Sequence, residues 1–322
     1  MWRIVETESS APRRGSPRVL QSLSKTRTAA IVKLASMTDV TTTTTNATDR
    51  TGSGSNAVPD GHHWERAGDA WGRRAVDWAC LFEHYATDTI HAVLDRLEVR
   101  TDTELLDIAC GSGLAIRYAG ARGARAAGID AAEALIDVGR SRNPDADLRV
   151  GTMFDLPWED ESFDAITSIN GIWGGCEGAL TEAHRVLRPG GRIAISFFGN
   201  GRPLDLRTFY KVLAANSPTD HLQGMKRTND IAHPGVAEDM LTEAGFEVVE
   251  RGGLVSTIEW PDPDTAWRAL SSIGPAVPAL ERAGADTLRP LVLDAIEGCR
   301  DEFGMYHFRN DHQFVIAEKR GR

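Results

Sequence analysis

The segment Leu105-Leu106-Asp107-Ile108-Ala109-Cys110-Gly111-Ser112-Gly113 carries the strongest chemical signal in the chain. An apolar run ends with an acid, and two glycines one residue apart follow. Read as a strand, a tight turn and a helix start, it lets backbone approach a ligand closely. A dinucleotide fingerprint needs a third glycine where Ile116 stands. The Asp107 carboxylate would repel a pyrophosphate, but it suits a ligand that carries positive charge. A second acid, Asp130, closes Gly128-Ile129-Asp130, where it can accept hydrogen bonds from ribose hydroxyls. Further on, Met153 and Phe154 can flank a flat ring while Asp155 accepts from an exocyclic amine. Asn170 opens the run Asn170-Gly171-Ile172-Trp173 at the end of another apolar stretch.

These residues need a scaffold that ends several strands side by side. The spacing predicts strands near 104–109, 124–129, 147–151, 163–169 and 191–198, with helices near 113–122, 131–141 and 177–187. Alternation of this kind implies an α/β fold, a parallel sheet covered on both faces. Gly123 and Pro189-Gly190-Gly191 stand where helices should stop. Before the sheet, Trp64, Ala67, Trp71, Ala75, Trp78 and Phe82 recur every three or four residues, one face of a helix. A second helix is expected from Asp88 to Leu97. After Phe198 the pattern predicts helices near 204–215 and 235–244 and a strand over 246–250. Residues 263–302 read as helical, interrupted by Pro275, Pro278 and Pro290, and 312–317 as the last strand.

The pieces LDIACGSG, GID, MFDLPWEDESFDAI and RVLRPGG follow one another over residues ~100–200. In that order and spacing the chain resembles the class I S-adenosylmethionine-dependent methyltransferases, in the small-molecule subgroup that includes ubiquinone- and menaquinone-biosynthesis enzymes. Ala109 departs from the glycine usual there, and alanine is a tolerated alternative. The resemblance implies a Rossmann-like, doubly wound sheet of seven strands, the last antiparallel, with a helical cover from segments 60–98, 200–235 and 263–302. It implies S-adenosyl-L-methionine as cofactor and methyl transfer to a small-molecule acceptor. Asp107, Ala109, Gly111 and Gly113 would line the methionine end, and Asp130 would hold the ribose. Met153, Phe154 and Asp155 would frame the adenine, and Asn170 would lie under the sulfonium. Asn170 is followed by Gly-Ile-Trp rather than the Asn-Pro-Pro-aromatic run of nucleic-acid methyltransferases. Two other readings stay open at this stage: a cofactor-binding regulatory protein without turnover, and a nicotinamide-dependent oxidoreductase.

The acceptor side is less legible. Core packing is the default for the tryptophan stripe, with Trp71 as its candidate substrate contact. Trp173, Tyr306 and His307 are further candidates, and His62 and His63 could supply a base. Trp267, Leu270, Ile273, Val277 and Leu280 form an apolar set in the segment before the last strand. Such a segment can fold over the carboxyl edge of the sheet and line a closed chamber. No catalytic base and no metal site is identified.

Composition sets the outer limits. The 322 residues are 41% hydrophobic and 25% charged, which excludes collagen-like and wholly disordered chains. The net charge is -10, yet residues 1–60 hold eight basic and five acidic side chains. The remaining body is therefore strongly acidic, which argues against nucleic acid as a main ligand. Residues 1–58, with a pure threonine run from Thr41 to Thr45 and Gly52-Ser53-Gly54-Ser55, read as a disordered extension, and Met37 is an internal candidate start. Four cysteines without a CxxC pair point to a reducing, cytoplasmic setting. No apolar stretch reaches membrane-spanning length.

Overall fold

The computed structural model describes residues 63–201, 203–219 and 229–321. The expected extension over residues 1–58, and His62 as a base, lie outside them. His63 opens the first helix, α1 (His63–Gly72).

Seven strands form one sheet: β1 (Glu104–Ile108), β2 (Arg125–Asp130), β3 (Asp147–Val150), β4 (Phe163–Ile169), β5 (Leu187–Phe198), β6 (Glu247–Trp260) and β7 (Tyr306–Glu318). Their order is β3-β2-β1-β4-β5-β7-β6. β1 to β5 pair in parallel and β7 runs antiparallel between β5 and β6. The period-2 alternation of strand side chains builds two cores. Leu105, Ala194, Phe314 and Ile316 point into one, while Leu106, Ile108, Ile193, Ile195 and Val315 point into the other.

Helices cover both faces. α6 (Glu177–Val186) and α8 (Val236–Glu243) bury Ala179, Leu180, Ala183, Met240 and Leu241 in the second core. The first core takes α3 (Thr87–Arg96) and α4 (Leu114–Ala121), then α7 (Arg207–Asn216) and the carboxyl-terminal set α9 (Pro263–Leu270), α10 (Val277–Ala283) and α11 (Ala285–Ile296). α9 starts where its sequence says it should. Asp262 caps it by accepting from the Thr265 amide, and Pro263 fills the first turn. α5 (Glu133–Arg142) closes the β2–β3 side.

Three expectations are corrected. β6 does not stop at 250 but runs to Trp260, and β7 begins at Tyr306 rather than 312. The last β5–β7 pair is Phe198 with His312, so residues 306–311 and their β6 partners 255–260 stand past the carboxyl edge as a two-stranded ribbon. The ribbon holds because its inner face is apolar: Ile258, Trp260, Tyr306 and Phe308 are buried in the first core. The amino-terminal stripe is also not one regular helix. α1 gives way to α2 (Ala75–Asp77), a π-helical turn over Trp78–Phe82 and a 3-10 turn over Glu83–Ala86 before α3. Such turns re-aim side chains that a regular helix would leave on one line.

Candidate active site

The carboxyl ends of β1, β2 and β4 converge on one crevice. β1 and β4 are direct neighbours, with Asp107 opposite Thr167, and β1 and β2 pair Ile108 with Ile129. The backbone turns sharply after β1 and after β4. Ala109 has φ 57° and Asn170 has φ 56°, both in the left-handed region that non-glycine residues avoid. Gly111, at φ 54°, and Gly113, at φ 75°, complete the turn into α4. Strained backbone at non-glycine positions costs about 1–3 kcal/mol and persists where surrounding structure requires it.

Two carboxylates sit at the base. Asp107 is fully buried and accepts from the Thr167 hydroxyl at 2.7 Å. Burial, together with the nearby Asp130 charge, pushes its carboxyl up to about 7, against the Thr167 hydrogen bond. Asp130 accepts from the Gly111 amide and the Ala132 amide, each at 2.8 Å, one on each oxygen. Burial raises it and these backbone donors oppose the rise. The Asp130 carboxylate keeps lone-pair capacity for further donors. The pair therefore fits a ligand with hydroxyl donors and a positive centre, and it does not fit a pyrophosphate.

The outer wall of the crevice follows β3. Phe154 is 43% exposed and rests over Gly178 at the start of α6, where a β-carbon would meet its ring at 3.3 Å. Met153 is half-buried against the second core, and Asp155 is exposed beside it. An exposed aromatic ring with a thioether and a carboxylate next to it suits a flat base with an amino group.

The cover is fastened to the glycine turn by a buried cluster. Glu83 accepts from the Ser112 hydroxyl and from Arg142. Arg142 also donates to Ser112 Oγ at 2.7 Å and to the Ala79 carbonyl at 2.9 Å. Burial raises the Glu83 carboxyl, against the hydrogen bonds from Ser112 and Arg142. Above the turn the Trp78 ring packs over Gly111, and Trp71 meets Trp78 edge-on with centroids 5.9 Å apart.

At the other end of the crevice lies a hydrogen-bonded chain that no local sequence pattern announces. The Asn170 amide donates to the Tyr85 hydroxyl at 2.6 Å. Its Oδ1 lies 3.0 Å from His312 Nε2, and His312 Nδ1 lies 2.7 Å from Thr89 Oγ1. Tyr85 stacks on Phe198 with centroids 5.1 Å apart, and His312 packs on both rings at 5.5 and 5.4 Å. His312 is wholly buried, which pushes its imidazole down to about 3, so it is neutral. Burial likewise raises the Tyr85 phenol. The residues came from parts of the sequence without chemical motifs. Tyr85 continues the three- and four-residue spacing after Phe82, and His312 alternates with Phe314 and Ile316; those were the only signals.

Asp107, Ala109, Gly111, Gly113, Asp130 and Asn170 are thus gathered at one edge. The acceptor-side candidates are dispersed. Trp71 packs over Gly274, and Trp267, on α9, packs against the first core. Trp173 packs against the second core. Tyr306 is a core residue, its ring buried and its hydroxyl 3.5 Å from Glu297. His307 lies on the opposite face of β7 and is held between Glu259 and Asp301, each at 2.9 Å. Period 2 along the strand separates it from His312. Among the described residues no group of His, Cys, Asp and Glu is arranged to hold a metal ion, and no helix is long and apolar enough to cross a membrane.

A methyltransferase domain family matches residues 106–195, from the strand before the glycine turn to the fifth strand. The chain belongs to the S-adenosylmethionine-dependent methyltransferases: it uses S-adenosyl-L-methionine and transfers a methyl group to a small molecule. It is 32% identical over 185 residues to the demethylmenaquinone methyltransferase of Renibacterium salmoninarum, spanning 56% of this chain and 70% of that one. It is 34% identical over 110 residues to the enzyme of the same name from Paenarthrobacter aurescens, where the match spans less than half of that protein, 44%. The fold matches the solved structure of the 4+2 cyclase SpnF with a TM-score of 0.51 at 16% identity, covering 81% of this chain and 96% of that one. The seven-stranded, doubly wound architecture with an antiparallel seventh strand agrees with this family.

Proposed function

We propose that the crevice at the ends of β1, β2 and β4 holds the cofactor, with the acceptor at its Asn170 end. In this reading the turn Ala109–Gly113 takes the methionine end, Asp130 the ribose hydroxyls, and Met153, Phe154 and Asp155 the adenine. The bound cofactor supplies a methyl group activated by the sulfonium charge. The chain's own residues then have three tasks: hold the ligand by Asp107 and Asp130, exclude water with the Trp71–Trp78 cover, and orient the acceptor. Positioning and desolvation can carry most of the catalysis when the leaving group is already activated. The acceptor is a small aromatic molecule, a reading supported by the Tyr85–Phe198–His312 ring cluster and by the relatives' names. Four free cysteines support a reducing, cytoplasmic setting.

The observation that carries the reading is the convergence of two strand-end carboxylates on a glycine turn with no phosphate cradle. Calorimetry with S-adenosylhomocysteine and with NAD tests it. Binding of the first and not the second is expected, and the Asp130→Ala variant should bind about ten- to a hundredfold more weakly without unfolding. NAD binding without S-adenosylhomocysteine binding would overturn it.

A further inference from the structure

We propose that Tyr85 contacts the methyl acceptor directly, donating a hydrogen bond from its hydroxyl to an acceptor oxyanion, and that Thr89, His312 and Asn170 position it. The inference rests on the reading that Asn170 marks the methyl end of the crevice. It assigns to this chain a class of acceptor: an ionised phenol or enol, methylated at that oxygen or at an atom conjugated with it.

The direction of the hydrogen bonds supports the assignment. Asn170 Oδ1 faces two donors, His312 Nε2 at 3.0 Å and the Ser196 hydroxyl at 3.5 Å. With Oδ1 filled, the amide nitrogen is left to donate to Tyr85. A proton on His312 Nε2 leaves Nδ1 as an acceptor, and Thr89 Oγ1 supplies the donor at 2.7 Å. The chain therefore runs one way, from Thr89 through His312 and Asn170 to Tyr85. Each link polarises the next, so the last donor is strengthened. That donor is the Tyr85 O–H. The residue is only 7% exposed, yet no described residue accepts its proton. Buried hydroxyls ordinarily find a partner, and here the remaining one is the ligand.

The same chain contains no base. The His312 lone pair is spent on Thr89, and burial keeps the imidazole neutral. Tyr85 keeps its phenolic proton, since burial and the nearby Tyr210 and Glu83 all disfavour its anion. Glu83 itself is committed to Ser112 and Arg142. An acceptor that must lose a proton on oxygen thus gives it to solvent before it enters. A lone pair of the acceptor then forms the bond to the methyl carbon, the carbon–sulfur bond breaks, and its electron pair returns to sulfur. If a conjugated ring carbon attacks, a π electron pair of the ionised ring forms the bond instead, and the ring hydrogen then leaves as a proton to solvent, restoring the ring.

The test uses the full chain saturated with S-adenosylhomocysteine and two probes of equal shape, 4-nitrophenol and 4-nitrotoluene. The wild type should bind 4-nitrophenol as its anion, seen by the long-wavelength absorption band, and at least tenfold more tightly than 4-nitrotoluene. Tyr85→Phe should lose that preference by about ten- to a hundredfold while binding S-adenosylhomocysteine as before. His312→Leu should lower the fraction of bound anion, and His312→Gln, which can still donate to Asn170, should restore part of it. Equal preference in wild type and Tyr85→Phe, or no binding of either probe by the wild type, overturns the role of Tyr85. A wild type that binds no S-adenosylhomocysteine fails differently: it removes the reading of the site, and this inference with it.

Discussion

The Trp78 ring occupies the space that a side chain at Gly111 would need: a β-carbon there would lie 2.8 Å from the ring's Cη2. Gly111 also stands at φ 54°, so a substitution is strained by backbone and by contact together. Gly111→Ala should therefore destabilise the protein by about 1–3 kcal/mol and weaken S-adenosylhomocysteine binding. Pairing it with Trp78→Leu should return part of the stability by removing the contact, while binding stays weak because the cover is lost. Thermal unfolding and calorimetry on the two single variants and the double variant separate the terms. Additive losses would mean that the ring and the turn do not press on each other.

Asp107 makes stability depend on pH in an unusual direction. Its carboxyl is raised in the folded protein to about 7, from an unfolded value near 3.9. The folded state then binds more protons than the unfolded one between those limits, so stability falls as pH rises from about 4 to 7. Full expression of this shift corresponds to about 4 kcal/mol. Asp107→Asn should make that part of the profile shallower, measured by urea unfolding at successive pH values, while the raised Asp130 and Glu83 carboxyls keep a slope of the same sign. A positively charged ligand should favour the ionised carboxyl. The ratio of S-adenosylmethionine to S-adenosylhomocysteine affinity should then increase from pH 6 to pH 8 in the wild type and stay constant in Asp107→Asn.

The Glu83–Arg142–Ser112 cluster ties the amino-terminal cover to the turn that carries the site. Removing one member of a buried ion pair leaves the other charge uncompensated, at a cost of about 3–5 kcal/mol. Arg142→Ala should cost this much, and Glu83→Gln less, because Ser112 and Arg142 can still hydrogen-bond a neutral amide. Combining Arg142→Met with Glu83→Leu should be milder than Arg142→Ala alone. All three should lose S-adenosylhomocysteine affinity if the cover shapes the site. Unfolding midpoints in urea, compared with affinity for the same variants, show whether stability and binding move together.

The ends of β1, β2 and β4 were legible because each carries, at or next to its end, a residue type that a buried strand interior does not favour: Asp107, Asp130, Asn170. The glycine turn then fixed which edge faces the ligand. The β6–β7 ribbon was not legible in the strand expected over 246–250, and Gly252-Gly253 just beyond it is a pair that strand interiors disfavour. In the fold Gly252 stays inside β6 because Phe314 crosses over it, 2.3 Å from where a β-carbon would stand. A glycine chosen for close approach and one chosen for a turn look alike in sequence. Tyr85 and His312 were missed for a different reason. Asn170 joins them only in three dimensions, 85 residues from one and 142 from the other. Short-range periodicity sees Tyr85 as core and His312 as a strand residue, which both also are.

Acceptor choice should reside in the carboxyl-terminal cover more than in the sheet. The strand ends are occupied by Asp107, Asp130 and the turn, so little of that surface is left to read a second ligand. α9 packs Ala266, Ala269 and Leu270 fully into the first core and leaves Trp267 half-buried beside them. That core also contains Tyr85 and Phe82, and Trp260 of the ribbon donates to the Leu81 carbonyl at 2.7 Å, tying ribbon and amino-terminal cover together. Trp267 thus packs against the same core that holds Tyr85. Trp267→Ala should raise the acceptor's Michaelis constant several-fold with little change in S-adenosylhomocysteine affinity. The stability loss should stay below the ~3–5 kcal/mol of a fully buried tryptophan, since part of the ring is already in water. A parallel fall in acceptor binding, cofactor binding and melting temperature would assign Trp267 to the core and place the acceptor's contacts on α7 or on the ribbon instead.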